Sequence, residues 1–130
     1  MSVMIGLKGR ADDVVSEKNT AQAACSGALP VFGTPFMSAL MEKASWTSIA
    51  PYLEEGQGTV GTKMDISHVS ATPVGMKVWA ESEVTLVNGK RIELKVAAYD
   101  EKGLIGEGTH ERFIITNDRF LAKTGKKLEG

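Results

Sequence analysis

Glu42 is one of only two charged residues between Thr34 and Leu53, a stretch otherwise filled by apolar and small side chains. His68 lies in TVGTKMDISHVSA (59–71), where Val60, Thr62, Met64, Ile66 and His68 share one face if the run is a strand. Thr34 precedes Pro35 at the start of the apolar stretch, where a helix would present free N–H groups and the positive end of its dipole. A carboxylate and an imidazole can move protons, and a helix N-terminus can hold a developing oxyanion. Brought into one layer, the three make the inventory of an acyl-transfer site. Each also has an ordinary structural role. Thr34 can cap the helix, His68 can be a hydrogen-bonded core residue, and Glu42 can snorkel to water or join an ion pair.

Other positions carry weaker signals. Gly61 interrupts a strand pattern, which points to a bulge, a close ligand approach or a packing constraint. Arg112 could bind a carboxylate or phosphate. His110, in GEGTHERF, has Glu111 and Arg112 beside it and reads as a structural or interface residue. Arg119, Lys123, Lys126 and Lys127 read as a solvated cluster. Two histidines 42 residues apart and a single cysteine, Cys25, show no metal-ligand spacing, so no metal is expected. A GxGxxG in its βαβ setting, the P-loop and the nucleophile elbow are absent.

The elements that must position these residues follow from periodicity. Thr34-Pro35 predicts a helix start, with the hydroxyl as cap and proline in the first turn, and EEGQG (54–58) predicts its stop. At 100° per residue, Leu40, Met41 and Ala44 fall on one side and Ala39, Trp46 and Ile49 on the other. A helix apolar all round predicts enclosure by other structure. DDVVSEKN (12–19) predicts an opening strand, and Thr20–Phe32 a loop with at most one helical turn. Beyond Gly58 the period changes to two, predicting strands at 59–71, 76–87, 92–98 and 104–116, with turns at TPVG (72–75), Asn88-Gly89 and YDEKG (99–103). DRFLAKTGKK (118–127) is a short basic tail. The layout is α+β: a strand, a long helix, then four antiparallel strands in meander, the sheet curling round the helix.

At 130 residues the chain suits one domain, residues 1–130. Its formal charge of −1 supplies no basic field for nucleic acid. No apolar run of about 20 residues predicts a membrane span, the N-terminus does not read as a signal peptide, and the lone cysteine favours a reducing compartment, so a cytoplasmic location is expected.

The combined stretches VFGTPFMSALME (31–42), YLEEGQGTVGT (52–62), HVSATPVG (68–75) and GEGTHERF (106–113) resemble the fluoroacetyl-CoA thioesterase-like group of hotdog-fold thioesterases. The resemblance implies a hotdog fold, a curved antiparallel sheet wrapped round one long central helix. It implies hydrolysis of a small or medium acyl-CoA thioester without cofactor, in a homodimer whose boundary forms the site, with pairing into tetramers left open. It carries catalytic positions onto Thr34, Glu42 and His68 and substrate-binding positions onto Gly61 and Arg112. Alternatives on the same fold are a non-catalytic acyl-CoA binding module and a hydratase or dehydratase. Thr20–Val31, rich in small and aliphatic side chains, holds no aromatic, so narrow fluoroacyl specificity is not carried over. Thr34 and Glu42 stand eight residues apart, about 12 Å along one helix axis. Either substrate bridges a long site or a dimer joins residues of two chains, and the second fits an apolar helix and a free sheet edge.

Overall fold

The structure, a computed structural model, describes residues 2–129. Helix α1 (Thr34–Ile49) is followed by a 3-10 turn at Ala50–Tyr52, where Pro51 cannot donate to a continuing helix. Gly33, not Thr34, is the N-cap, and no side chain caps the helix. A Cβ on Gly33 would lie 2.9–3.0 Å from the backbone of Thr20 and Ala21, so this tight entry requires glycine. Thr34 is thereby moved into the first turn, with its hydroxyl free for another partner.

Five antiparallel strands form one sheet: β1 (Lys8–Val14), β2 (Gln57–His68), β3 (Lys77–Asn88), β4 (Arg91–Asp100) and β5 (Gly103–Thr116), in the order β1-β3-β4-β5-β2. Two departures from the sequence reading matter. The opening strand lies at 8–14 instead of 12–19, because Gly9 and Ala11 are small enough to pack beneath α1; a Cβ on Gly9 would overlap the Ala44 carbonyl and lie 2.7 Å from Ser48 Cβ. The meander holds for β3-β4-β5, but β2 pairs with β5 and not with β3. The chain after His68 therefore makes a crossing, not a hairpin. Val69 N–H donates to the Ile105 carbonyl at 2.7 Å, Phe32 N–H to the Thr72 carbonyl at 2.9 Å, and Thr72 Oγ1 to the buried Asp100 carboxylate at 2.8 Å. These bonds pin the end of β2 beside the start of α1.

Met37, Leu40, Met41 and Ala44 bury against Ala11, Val78, Ala80, Val96, Ala98 and Ile105, and Ile49 packs in a second cluster with Val84, Ile92 and Leu94. Each fully buried Met, Leu or Ile contributes about 1.5–3 kcal/mol. The sheet covers only one side of α1. Pro35, Ala39, Lys43 and Trp46 are exposed, Trp46 at 46%, so the expected enclosure on every side is not met within one chain. The short basic tail is helix α2 (Asn117–Gly125) followed by a 3-10 segment at Lys126–Glu129. Among the described residues no helix is long and apolar enough to cross a membrane.

Gly9→Ala tests the helix-on-strand contact. Because the added methyl would meet the Ala44 backbone carbonyl and Ser48, overpacking is expected to cost about 1–3 kcal/mol or more, read as a lowered urea midpoint. An unchanged midpoint would mean that α1 does not rest on Gly9.

Candidate active site

The candidate residues gather in two places. At the N-terminal end of α1, Thr34 Oγ1 lies 2.7 Å from His68 Nδ1. The crossing after β2 makes this contact, and the Phe32 ring braces the imidazole edge-on at 6.5 Å. A cavity of about 300 Å³ opens here, lined by Ala21, Ser26, Val31, Thr34, His68 and Ala71 among others. His68 Nε2 is buried without a partner. Burial lowers the His68 pKa below its ordinary 6.5, and the nearby Ser70 backbone opposes the shift.

Two turns further along α1, Glu42 faces β2 and β5. A Cβ added to Gly61 would sit 3.3 Å from each of Glu42 Oε2, Arg112 Nη1 and His110 Cε1, so glycine leaves open the space on which these three groups converge. Ser38 Oγ donates to Glu42 Oε1 at 3.5 Å. Arg112, 6% exposed, donates from Nε to Thr59 Oγ1 at 2.8 Å, from Nη2 to the Thr59 carbonyl at 3.0 Å and from Nη1 to His110 Nε2 at 3.2 Å. Burial lowers the Arg112 pKa and the Glu42 charge opposes it. Among the described residues Glu42 has no cation within 4.0 Å, so its carboxylate is not closed into an ion pair.

A bulge in β2 makes this second cluster. Gly61 pairs with Arg112 and Lys63 with Glu111, leaving Thr62 as the extra residue. Directly opposed residues share a face, so Thr59, Gly61, Met64, Ile66 and His68 turn toward α1 with Arg112, His110, Gly108 and Gly106. The sequence count that put Val60 and Thr62 on the inner face fails across the bulge; Thr62 instead points outward and donates to Glu111 Oε2 at 2.7 Å. Sequence reasoning did not single out Thr59 and read His110 as structural. The available signal was the period-two run Gly106, Gly108, His110, Arg112, which puts two glycines and two polar groups on one face.

A larger depression of about 720 Å³ lies elsewhere, lined by Lys8, Arg10, Glu81, Glu83, Lys95, Tyr99, Glu107 and Thr109. The long side chains here alternate along their strands with Ala11 and Val96, which pack beneath α1, so the depression is on the face of the sheet turned away from α1 and holds none of the candidate residues.

Comparison with known proteins settles the family. Residues 15–118, a span containing Thr34, Glu42, Gly61, His68 and Arg112, match the fluoroacetyl-CoA-specific thioesterase (FlK) family. The chain belongs to that family. The fluoroacetyl-CoA thioesterase of Streptantibioticus cattleyicolor is 44% identical over 97 residues, covering 75% of this chain and 70% of that one. A solved structure of the fluoroacetyl-CoA thioesterase FlK superposes with a TM-score of 0.92 at 36% identity over 98% of both chains. A thioesterase superfamily member from Thermus thermophilus superposes with a TM-score of 0.90 at 29% identity, covering 98% of this chain and 94% of the other. The fold is accordingly the hotdog fold, with the sheet curved over one central helix.

Proposed function

We propose that this chain is a cytoplasmic, single-domain acyl-CoA thioester hydrolase, working as a homodimer with Thr34, Glu42 and His68 as its catalytic groups and Gly61 and Arg112 binding substrate. The family supplies the reaction class. The observation that carries the reading is Glu42 Oε2, an unpaired carboxylate oxygen facing the space left open above Gly61. A carboxylate held for structure alone would close on Arg112.

In this reading Glu42 removes a proton from water as the water oxygen bonds to the thioester carbonyl carbon. The tetrahedral adduct then collapses, the C–S bond breaks with its electron pair on sulfur, and Glu42 returns the proton to the departing thiolate. The products are a free acid and CoA. Thr34 and His68 serve the carbonyl oxygen. Held at 2.7 Å by His68 Nδ1, the Thr34 hydroxyl is placed to meet the carbonyl oxygen as charge develops on it.

Two features support a shared site: the helix separation of about 12 Å between Thr34 and Glu42, and the uncovered side of α1 at Ala39, Lys43 and Trp46. A two-fold axis along that side would bring Glu42 of one chain toward the Thr34–His68 pair of the other. The small residues Ala21, Ser26 and Ala71 round the cavity favour small to medium acyl groups over fluoroacetyl alone.

A panel of acyl-CoAs assayed for thiol release tests the function: turnover is expected with short to medium chains, and CoA binding without turnover on any of them would leave a binding module. The pH profile tests the state of His68. Its pKa is lowered from 6.5, so from about pH 6.5 to 8 the ring is neutral and this group leaves kcat/KM level. Were the imidazolium the working form, the rate would fall throughout that window.

A further inference from the structure

His110 is the most enclosed titratable side chain among the described residues, at 2% exposure, and the mechanism above leaves it unused. Its two ring nitrogens have partners that fix their roles. The Lys63 carbonyl can only accept, so Nδ1 carries the proton and donates to it at 2.8 Å. The Arg112 guanidinium can only donate, so Nε2 is a lone pair accepting from Nη1 at 3.2 Å. The ring is neutral, and a proton on Nε2 would set two donors against each other. Its pKa is lowered accordingly, first by burial and further by Arg112, against the Lys63 carbonyl, Glu42 and Glu111.

What the two bonds join is informative. Lys63 is the residue at which pairing resumes after the bulge that turns Gly61 inward. Arg112 spends its Nε and one Nη2 hydrogen on Thr59 and one Nη1 hydrogen on His110, leaving two of its five N–H groups, one on each terminal nitrogen. With three bonds the guanidinium plane has no freedom to swing. Without the His110 bond it would be held only from the Thr59 side and could rotate away from Glu42. We propose that His110 is a positioning residue for the hydrolysis: as a neutral strut between the β2 bulge and the Arg112 guanidinium, it holds the space over Gly61 open and the spare Arg112 Nη1 donor facing it. It exchanges no proton with substrate. The inference rests on the reading that Glu42 works in that space.

The three variants His110→Leu, His110→Asn and His110→Gln separate positioning from packing. Leucine keeps volume and makes neither bond. Asparagine can donate to the Lys63 carbonyl but falls short of Arg112. Glutamine can present its carbonyl oxygen to Nη1. With the fold checked by thermal melting, leucine and asparagine are expected to lower kcat about tenfold to a hundredfold with little change in KM, since a small misplacement of a reacting group costs rates of that order. Glutamine should recover much of the loss. In the wild-type chain, nitrogen NMR should show the His110 proton on Nδ1 from about pH 6 to about pH 8, together with a slowly exchanging Arg112 Nε–H signal that broadens in the leucine variant. Wild-type kcat in the leucine variant, glutamine no better than leucine, or a proton found on Nε2 would each overturn the proposal. If the wild-type chain turned over no acyl-CoA, the hydrolase reading alone would fall. The nitrogen and guanidinium signals would still decide whether His110 is the strut.

Discussion

Glu42→Gln is expected to leave a folded chain that binds acyl-CoA and hydrolyses it about 10²- to 10⁴-fold more slowly, the range that a positioned acid-base group contributes. The substitution is nearly isosteric. Glutamine can still accept from Ser38 Oγ, now at 3.5 Å from Glu42 Oε1, and its amide fits where Oε2 faces Gly61 without adding an atom. What disappears is the charge. A neutral amide can neither take a proton from water nor attack the carbonyl carbon. Because ground-state contacts are nearly preserved, the loss should fall on kcat and leave KM close to wild type. Arg112 loses the negative charge that opposes its burial, so a modest fall in melting temperature is expected, too small to explain a thousandfold rate effect. Thiol-release kinetics beside a melt decide the matter. Full turnover in the glutamine variant would remove Glu42 from the chemistry even if the protein is a thioesterase.

The parts legible in the sequence were those set by local periodicity. The helix start, the Asn88-Gly89 turn and the apolar stripes of β3 and β4 all follow from spacing, and Gly89 does adopt a positive φ of 63° at the tip of the hairpin. Glu42 was conspicuous because a charge in an apolar helix has few explanations. The hidden parts depend on non-local pairing. That β2 lies beside β5 follows from the crossing at residues 69–76, whose anchors are the Ile105 and Thr72 carbonyls, and no spacing rule reveals which carbonyl a loop N–H will find. The bulge at Gly61–Lys63 is invisible to a period-two count because it changes the phase of that count midway. His110 therefore read as structural and Thr59 went unnoticed, although both meet Arg112 within 3.2 Å. Thr34 was misread in a smaller way: the hydroxyl expected to cap the helix is free for His68 because Gly33 takes the cap position.

Mixing two inactive variants should restore activity if the site is shared between subunits. One chain carries Glu42→Gln and keeps Thr34 and His68; the other carries His68→Ala and keeps Glu42. In a two-fold dimer in which Glu42 of one chain completes the Thr34–His68 pair of its partner, a mixed dimer has one site with both substitutions and one with none. Random assortment after co-expression makes half the dimers mixed, and half of their sites are intact, so activity per chain should reach about a quarter of wild type against a background of about a hundredth or less for either parent. The large ratio makes the outcome unambiguous. A site built within one chain gives the opposite result, because every site in every dimer then carries one substitution and mixing restores nothing. The interface can be challenged in the same assay. Trp46, 46% exposed on the uncovered side of α1, would lie in a dimer formed along that side, and Trp46→Glu would put a charge there. Complementation and wild-type turnover should then fall together as the protein elutes as a monomer, whereas a monomer retaining full activity would place the whole site in one chain.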